Sequence, residues 1–219
     1  MAGVLLAAGS GSRLGHPKAL VELDGVRLVD RGIWLLQSGG ASPLVVVTGA
    51  VPVSLLPGVL SVFNPDWASG MGSSLATGLR AVPDGCAAAV VALVDQPLVG
   101  PEAVARLISA HEGGAQVAVA AYDGQPRNPV LIARAHWAEV IDLATGDVGA
   151  RPFLRAHQDL VTLVECGDTG RPDDVDTADD LARLAHPSAP SAPPVSPRTP
   201  APGPPRDHDI GVAGTTPMS

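Results

Sequence analysis

The chain has 219 residues, 46% of them hydrophobic, with a net charge of −8 and a pI near 5.0. This allows one domain with a sizeable core plus extra segments, and the acidic balance with scattered arginines argues against a nucleic-acid footprint, which needs clustered basic residues. No apolar run reaches the roughly 18 residues of a membrane span, the first apolar stretch lacks the basic lead-in of a signal peptide, and the two distant cysteines, Cys86 and Cys166, read as reduced cytoplasmic thiols.

Short apolar runs alternate with helical patterns along the chain. Residues 4–7 form a first buried strand that runs directly into a glycine-rich loop. Residues 28–37 fit an amphipathic helix, stopped by Ser38-Gly39-Gly40. Strands follow at 44–47 and 59–62, the latter feeding a small-residue loop over 64–74, with a helix predicted over 75–82. Residues 88–94 are a continuous apolar run ending in Asp95, as buried parallel strands do. A helix spans 101–111 with Pro101 in its first turn. Strands at 117–121 and 130–133, helices at 137–143 and 151–157, and a strand at 160–165 complete the alternation. Thr177 can cap a last helix, with Asp180 at its third position. His111, His136 and His157 fall in helical segments and read as surface or boundary residues. The pattern predicts a single α/β domain: a three-layer, Rossmann-like fold with a mainly parallel sheet, and ligands at the carboxyl ends of its strands. The glycine loop, the 64–74 loop and Asp95 all fall at that edge.

From Pro187 the composition shifts to Pro, Ala, Ser and Thr. Such a segment cannot bury enough apolar surface to offset its ordering entropy, so 187–219 is expected to be a disordered tail behind a domain of residues 1–186. Cutting the chain after His186 should therefore leave turnover and melting temperature unchanged. A drop of several degrees would show that the tail docks.

The loop reads Gly9-Ser10-Gly11-Ser12-Arg13-Leu14-Gly15-His16-Pro17-Lys18, and Lys18 is the only lysine beside 13 arginines. A lone lysine in such a chain suggests a place where a planar fork does not fit and a compact charge does, as between phosphate oxygens. Glycines let backbone N–H groups approach a ligand and form an anion-binding concavity. The ATPase phosphate loop requires Gly-Lys followed by Ser or Thr, and here the spacing fails. The dinucleotide fingerprint is a near miss, but the next strong strand ends in Thr48-Gly49 without the acidic residue that motif needs.

With these residues, the loop resembles the nucleotidyltransferases that carry the signature L-A-x-G-x(n)-R-x-G-x-x-K. The segments Asn64-Pro65-Asp66-Trp67-Ala68-Ser69-Gly70-Met71-Gly72-Ser73-Ser74-Leu75, Leu93-Val94-Asp95-Gln96-Pro97-Leu98 and Asp174-Val175-Asp176-Thr177-Ala178-Asp179-Asp180-Leu181 narrow the similarity to the molybdenum cofactor cytidylyltransferases, over about residues 2–186. Gly146 to Arg151 and Asn128-Pro129-Val130 also resemble that branch. Leu14 departs from it conservatively, in a place where Met is frequent.

The resemblance implies the nucleotide-diphospho-sugar transferase type of fold and transfer of CMP from CTP to the phosphate of molybdopterin. It implies nucleotide contacts from Leu6, Ala7, Ala8, Gly9, Ser10, Gly11, Arg13, Gly15 and Lys18, and base recognition near Gly72, Ser73 and Ser74. Arg13, Lys18 and Asp95 take the catalytic roles, and Asp95 and Asp176 hold Mg²⁺, a hard cation bound by one or two carboxylates plus substrate phosphates. Asp174 points the same way as Asp176 if the segment is extended, but is the second choice. Each residue also has a plainer reading. Asp95 can cap the following helix, Ser74 can be an N-cap, and Arg151 can simply belong to the helix begun by Pro152. Trp67 lies beside the pterin or plugs the sheet edge, and Asn128 and Arg151 are the remaining substrate contacts. Partners would be CTP or GTP, molybdopterin, and a molybdoenzyme or its insertion chaperone. The rivals are the same fold using GTP or a sugar or alcohol phosphate, a dinucleotide-binding oxidoreductase, and a nucleotide-binding chaperone without transfer activity.

Overall fold

The computed structural model describes residues 1–185, and the expected tail lies outside the described residues. The strands are β1 (Ala2–Leu6), β2 (Glu22–Leu23), β3 (Val26–Arg27), β4 (Leu44–Thr48), β5 (Val59–Phe63), β6 (Ala88–Leu93), β7 (Val117–Tyr122), β8 (Gln125–Ala133) and β9 (Val161–Glu165). The α-helices are α1 (Leu28–Ser38), α2 (Met71–Ala81), α3 (Pro101–Glu112), α4 (Trp137–Leu143), α5 (Arg151–Ala156) and α6 (Ala178–Ala185). Seven strands form one sheet in the order β5-β4-β1-β6-β8-β7-β9, and β2 and β3 pair separately.

The sheet is buried on both faces because its central strands are apolar at every position. Odd residues of β1 such as Leu5 pack with Val46, Val90 and Leu131 against Ile33 and Leu36 of α1 and Val104 and Leu107 of α3. Even residues such as Val4 and Leu6 pack with Val45, Val91 and Ile132 against Leu75 and Leu79 of α2, Trp137 of α4 and Phe153 of α5. This alternation builds the three layers. Among the described residues no helix is long and apolar enough to cross a membrane.

Three features depart from the expected boundaries. β8 begins at Gln125 rather than residue 130, because Asp123 and Gly124 adopt φ of 53° and 72° and close a two-residue hairpin with Tyr122 opposite Gln125. Asp-Gly is the favoured pair for such a turn, and it makes β8 antiparallel to both neighbours in an otherwise parallel sheet. Asp24-Gly25, with φ of 53° and 74°, closes the unanticipated β2–β3 hairpin in the same way. α2 starts at Met71, four residues early, because Asn64 holds the small residues of its first turn.

Candidate active site

The carboxyl ends of β1 and β6 adjoin, with Leu6 opposite Leu93. The glycine loop leaves the first and Asp95 follows the second. Within the loop, the Gly11 carbonyl accepts the N–H groups of Leu14 (2.9 Å) and Gly15 (3.0 Å). Gly11 has φ +62°, and a Cβ there would collide with the His16 carbonyl, so this turn requires glycine. The amides of residues 9–13 make no hydrogen bond among the described residues. They remain available to an anion. Pro17 is followed by a three-residue 3₁₀ turn, Lys18–Leu20, rather than an α-helix. The helix-terminal charge that such loops often use is missing here, and Arg13 and Lys18 carry the positive charge.

Lys18 is the centre of the site. Its Nζ donates to Asp95 Oδ2 at 2.8 Å and to Asp176 Oδ1 at 2.5 Å, and its side chain is only 16% exposed. Burial favours the neutral amine, but the two carboxylates more than offset this and hold the pKa above the ordinary lysine value. Arg13, largely exposed, approaches Asp176 from outside at 3.8 Å.

The 172–176 segment is fixed to the sheet from within. Val175 is fully buried and donates its N–H to the Asp95 carbonyl at 2.8 Å. Its neighbours therefore project the other way, and both line the cleft. Asp176 meets Lys18, whereas Asp174 accepts the Gln96 amide at 2.8 Å. Burial raises the Asp174 pKa against that bond, and the charges of Asp95 and Asp176 raise it further. At the start of α6, Asp180 accepts the amides of Asp176 (3.1 Å) and Thr177 (2.9 Å), and Asp180 N–H donates to the Thr177 hydroxyl. This is the expected capping box, and it also anchors Asp176.

The donor set suits a hard divalent cation. Asp95 Oδ1 is buried without a hydrogen-bond partner, and its other oxygen and Asp176 converge on one ammonium. Among the described residues no group of three or more His, Cys, Asp or Glu could hold a metal by itself. A cation here would draw its remaining ligands from water and substrate, as Mg²⁺ does.

Asp95, Asp174 and Asp176 line a cleft of about 1100 Å³ that extends to Asn128 and Arg151. Gln96, Arg127 and Arg155, which sequence reasoning did not single out, line it too. Gln96 could have been suspected from its place beside Asp95, but the arginines carry no local signal. The other expected residues lie apart from this cleft. Asn64, 1% exposed, donates to the hydroxyls of Ser73 (2.9 Å) and Ser74 (3.0 Å), so both serines already hold the start of α2. Gly72 packs against the backbone of Ala144 and Thr145. Trp67 packs on Gly49 beside Ala8. Leu6, Ala7 and Ala8 are buried, and the Ala8 carbonyl is taken by Ala50 N–H.

Residues 3–161 match the MobA-like NTP transferase domain. The chain belongs to this family. The MobA-like assignment makes it a nucleotidyltransferase enzyme, in keeping with its loop and carboxylates. Nicotine blue oxidoreductase of Paenarthrobacter nicotinovorans is 39% identical over 192 residues, covering 82% of this chain and 93% of that protein. A homologue of the Mycobacterium tuberculosis protein Rv0371c, from Mycobacterium sp. strain JC1, shares the MobA-like fold with a TM-score of 0.75 and 31% identity, over 85% of this chain and 95% of that one. Rv0371c itself, from strain H37Rv in complex with manganese, has a TM-score of 0.69 and 26% identity, over 84% and 97%.

Proposed function

We propose that this MobA-like chain transfers CMP from CTP to the phosphate of molybdopterin, releasing pyrophosphate, with Mg²⁺ held by Asp95 and Asp176. The observation that carries the reading is the convergence of Lys18, Asp95 and Asp176 beside a loop with free amides. The manganese complex of Rv0371c supports a divalent cation. In the reaction, an oxygen of the acceptor phosphate bonds to the α-phosphorus as the bond to pyrophosphate breaks. That oxygen is already ionised at neutral pH, so no residue need act as general base. The residues position the reactants and stabilise charge. The free amides of residues 9–13, with Lys18 and Arg13, hold the departing pyrophosphate. Asp95 and Asp176 would hold the metal, which supplies charge neutralisation between the reacting phosphates.

The 64–75 segment supports cytidine. The support is its resemblance to the cytidylyl branch, with Asn64 fixing Ser73 and Ser74 at the start of α2. The kcat/KM for CTP should exceed that for GTP by at least about tenfold, a difference of ~1.4 kcal/mol. A higher value with GTP moves the chain to guanylyl transfer. Asp180→Ala should lower the melting temperature by about 2–4 °C, as loss of one side of a capping box implies, and raise the Mg²⁺ concentration needed for half-maximal turnover several-fold. A lower melting temperature with unchanged Mg²⁺ demand would limit Asp180 to capping.

A second reading, redox chemistry on the same fold, is favoured by the 39% identity to Nicotine blue oxidoreductase over nearly all of that protein. The two readings separate on the cosubstrate: NAD(P)H consumption without Mg²⁺ supports the second, and CTP-dependent pyrophosphate release the first.

A further inference from the structure

The arginines sort unevenly. Among the described residues, Arg13, Arg27, Arg31, Arg106, Arg134, Arg171 and Arg183 each have a carboxylate within 4.0 Å. Arg80, Arg127, Arg151 and Arg155 have none among the described residues. Three of those four, Arg127, Arg151 and Arg155, line the one cleft that also holds Asp95 and Asp176. In a chain of net charge −8, unpaired cations are scarce, and scatter does not account for three of them on one wall. Arg127 lies in β8, exposed near the Asp123-Gly124 turn. Arg151 and Arg155 lie four residues apart on α5, on one helix face.

The same cleft is lined by Asp173, Asp174 and Asp176, yet none of the three arginines pairs with them. The cleft's own carboxylates therefore leave the three arginines unneutralised, so its lining offers an acidic part, with Asp95 and Asp176 on Lys18, and a basic part made by the arginines. The acidic part suits a cation and the phosphates it gathers. The basic part suits an anion that is not one of those phosphates. Guanidinium forks on an exposed wall also match planar, two-oxygen or two-sulfur groups better than a point charge would.

We propose that the acceptor carries a second anionic group, remote from its reacting phosphate, and that Arg127, Arg151 and Arg155 receive it and set acceptor specificity. The inference rests on the transferase reading above, in which the ene-dithiolate of molybdopterin is that second group. A neutral acceptor of similar shape would leave three arginines unused and would bind poorly.

The test measures CTP-dependent pyrophosphate release with molybdopterin as the probe, in the whole chain, for the unaltered protein and for Arg127→Gln, Arg155→Gln and the double variant. All three variants should fold, because both side chains are exposed and neither pairs with a carboxylate, Arg127 donating only to the Pro126 carbonyl beside it. The double variant should raise the KM for molybdopterin at least tenfold, with the KM for CTP and kcat at saturating acceptor within about threefold of the original. The KM for molybdopterin in the unaltered protein should also rise with added NaCl more steeply than in the double variant, a response that a merely structural role would not give. Unchanged acceptor KM, or an equal loss of CTP affinity, overturns the assignment while the transferase reading stands. An unaltered protein that releases no pyrophosphate with molybdopterin refutes that acceptor, and the proposal with it.

Discussion

Asp95→Ala is expected to abolish turnover while the thermal transition stays in place. Asp95 follows the last residues of β6, outside the packed layers, and its side chain is 21% exposed. It touches Lys18 through one oxygen and leaves the other without a partner. Removing it takes nothing from the core, and Lys18 keeps Asp176. What is lost is a ligand of the cation that would neutralise the reacting phosphates, a contribution on the order of 3–4 kcal/mol in preorganised sites, or at least 10²–10³-fold in kcat. Asp176→Ala should behave alike. Asp174→Ala should be milder, because its carboxylate faces Gln96 rather than Lys18. Circular dichroism melts beside steady-state rates separate the outcomes. A lost thermal transition would make Asp95 structural, and a more damaging Asp174 variant would place the metal on the wrong carboxylate.

Lys18→Arg should be nearly as harmful as Lys18→Ala. The ammonium sits between two carboxylate oxygens at 2.8 and 2.5 Å in a largely closed space. A guanidinium is wider, planar and fixed in its donor directions. It cannot enter that gap and still reach phosphates, whereas a point charge on a flexible stem can turn from the carboxylates to a triphosphate. Both variants should lose about 100-fold or more in kcat/KM for the nucleotide. Near-normal rates for the arginine variant would show that charge alone is required.

The β-sheet was legible because its central strands are near-continuous apolar runs, and buried strands of that kind have few alternatives. The capping box at Thr177 and Asp180 was legible because both partners are three residues apart. Lys18 and Asp95 stood out locally, one as the lone lysine in a glycine loop and the other as a carboxylate ending an apolar strand. The antiparallel course of β8 rested on Asp123-Gly124, a turn signal overshadowed by the strand–helix alternation. The serines at 73 and 74 looked free because Asn64, which binds both, lies ten residues back across a loop. The basic wall was invisible for a related reason: Arg127 and Arg155 come together only through the hairpin and α5. The acceptor is the least legible part, because a cleft built from many separated segments leaves no contiguous motif.

The most direct measurement follows the label. CTP carrying ³²P at the α-phosphorus is incubated with molybdopterin, Mg²⁺ and the protein, and the products are separated. Label on the pterin, in step with unlabelled pyrophosphate and lost in the Asp95→Ala protein, is the predicted result. Label that stays on CTP while NAD(P)H is consumed would contradict the account and place the chain's chemistry with its oxidoreductase relative.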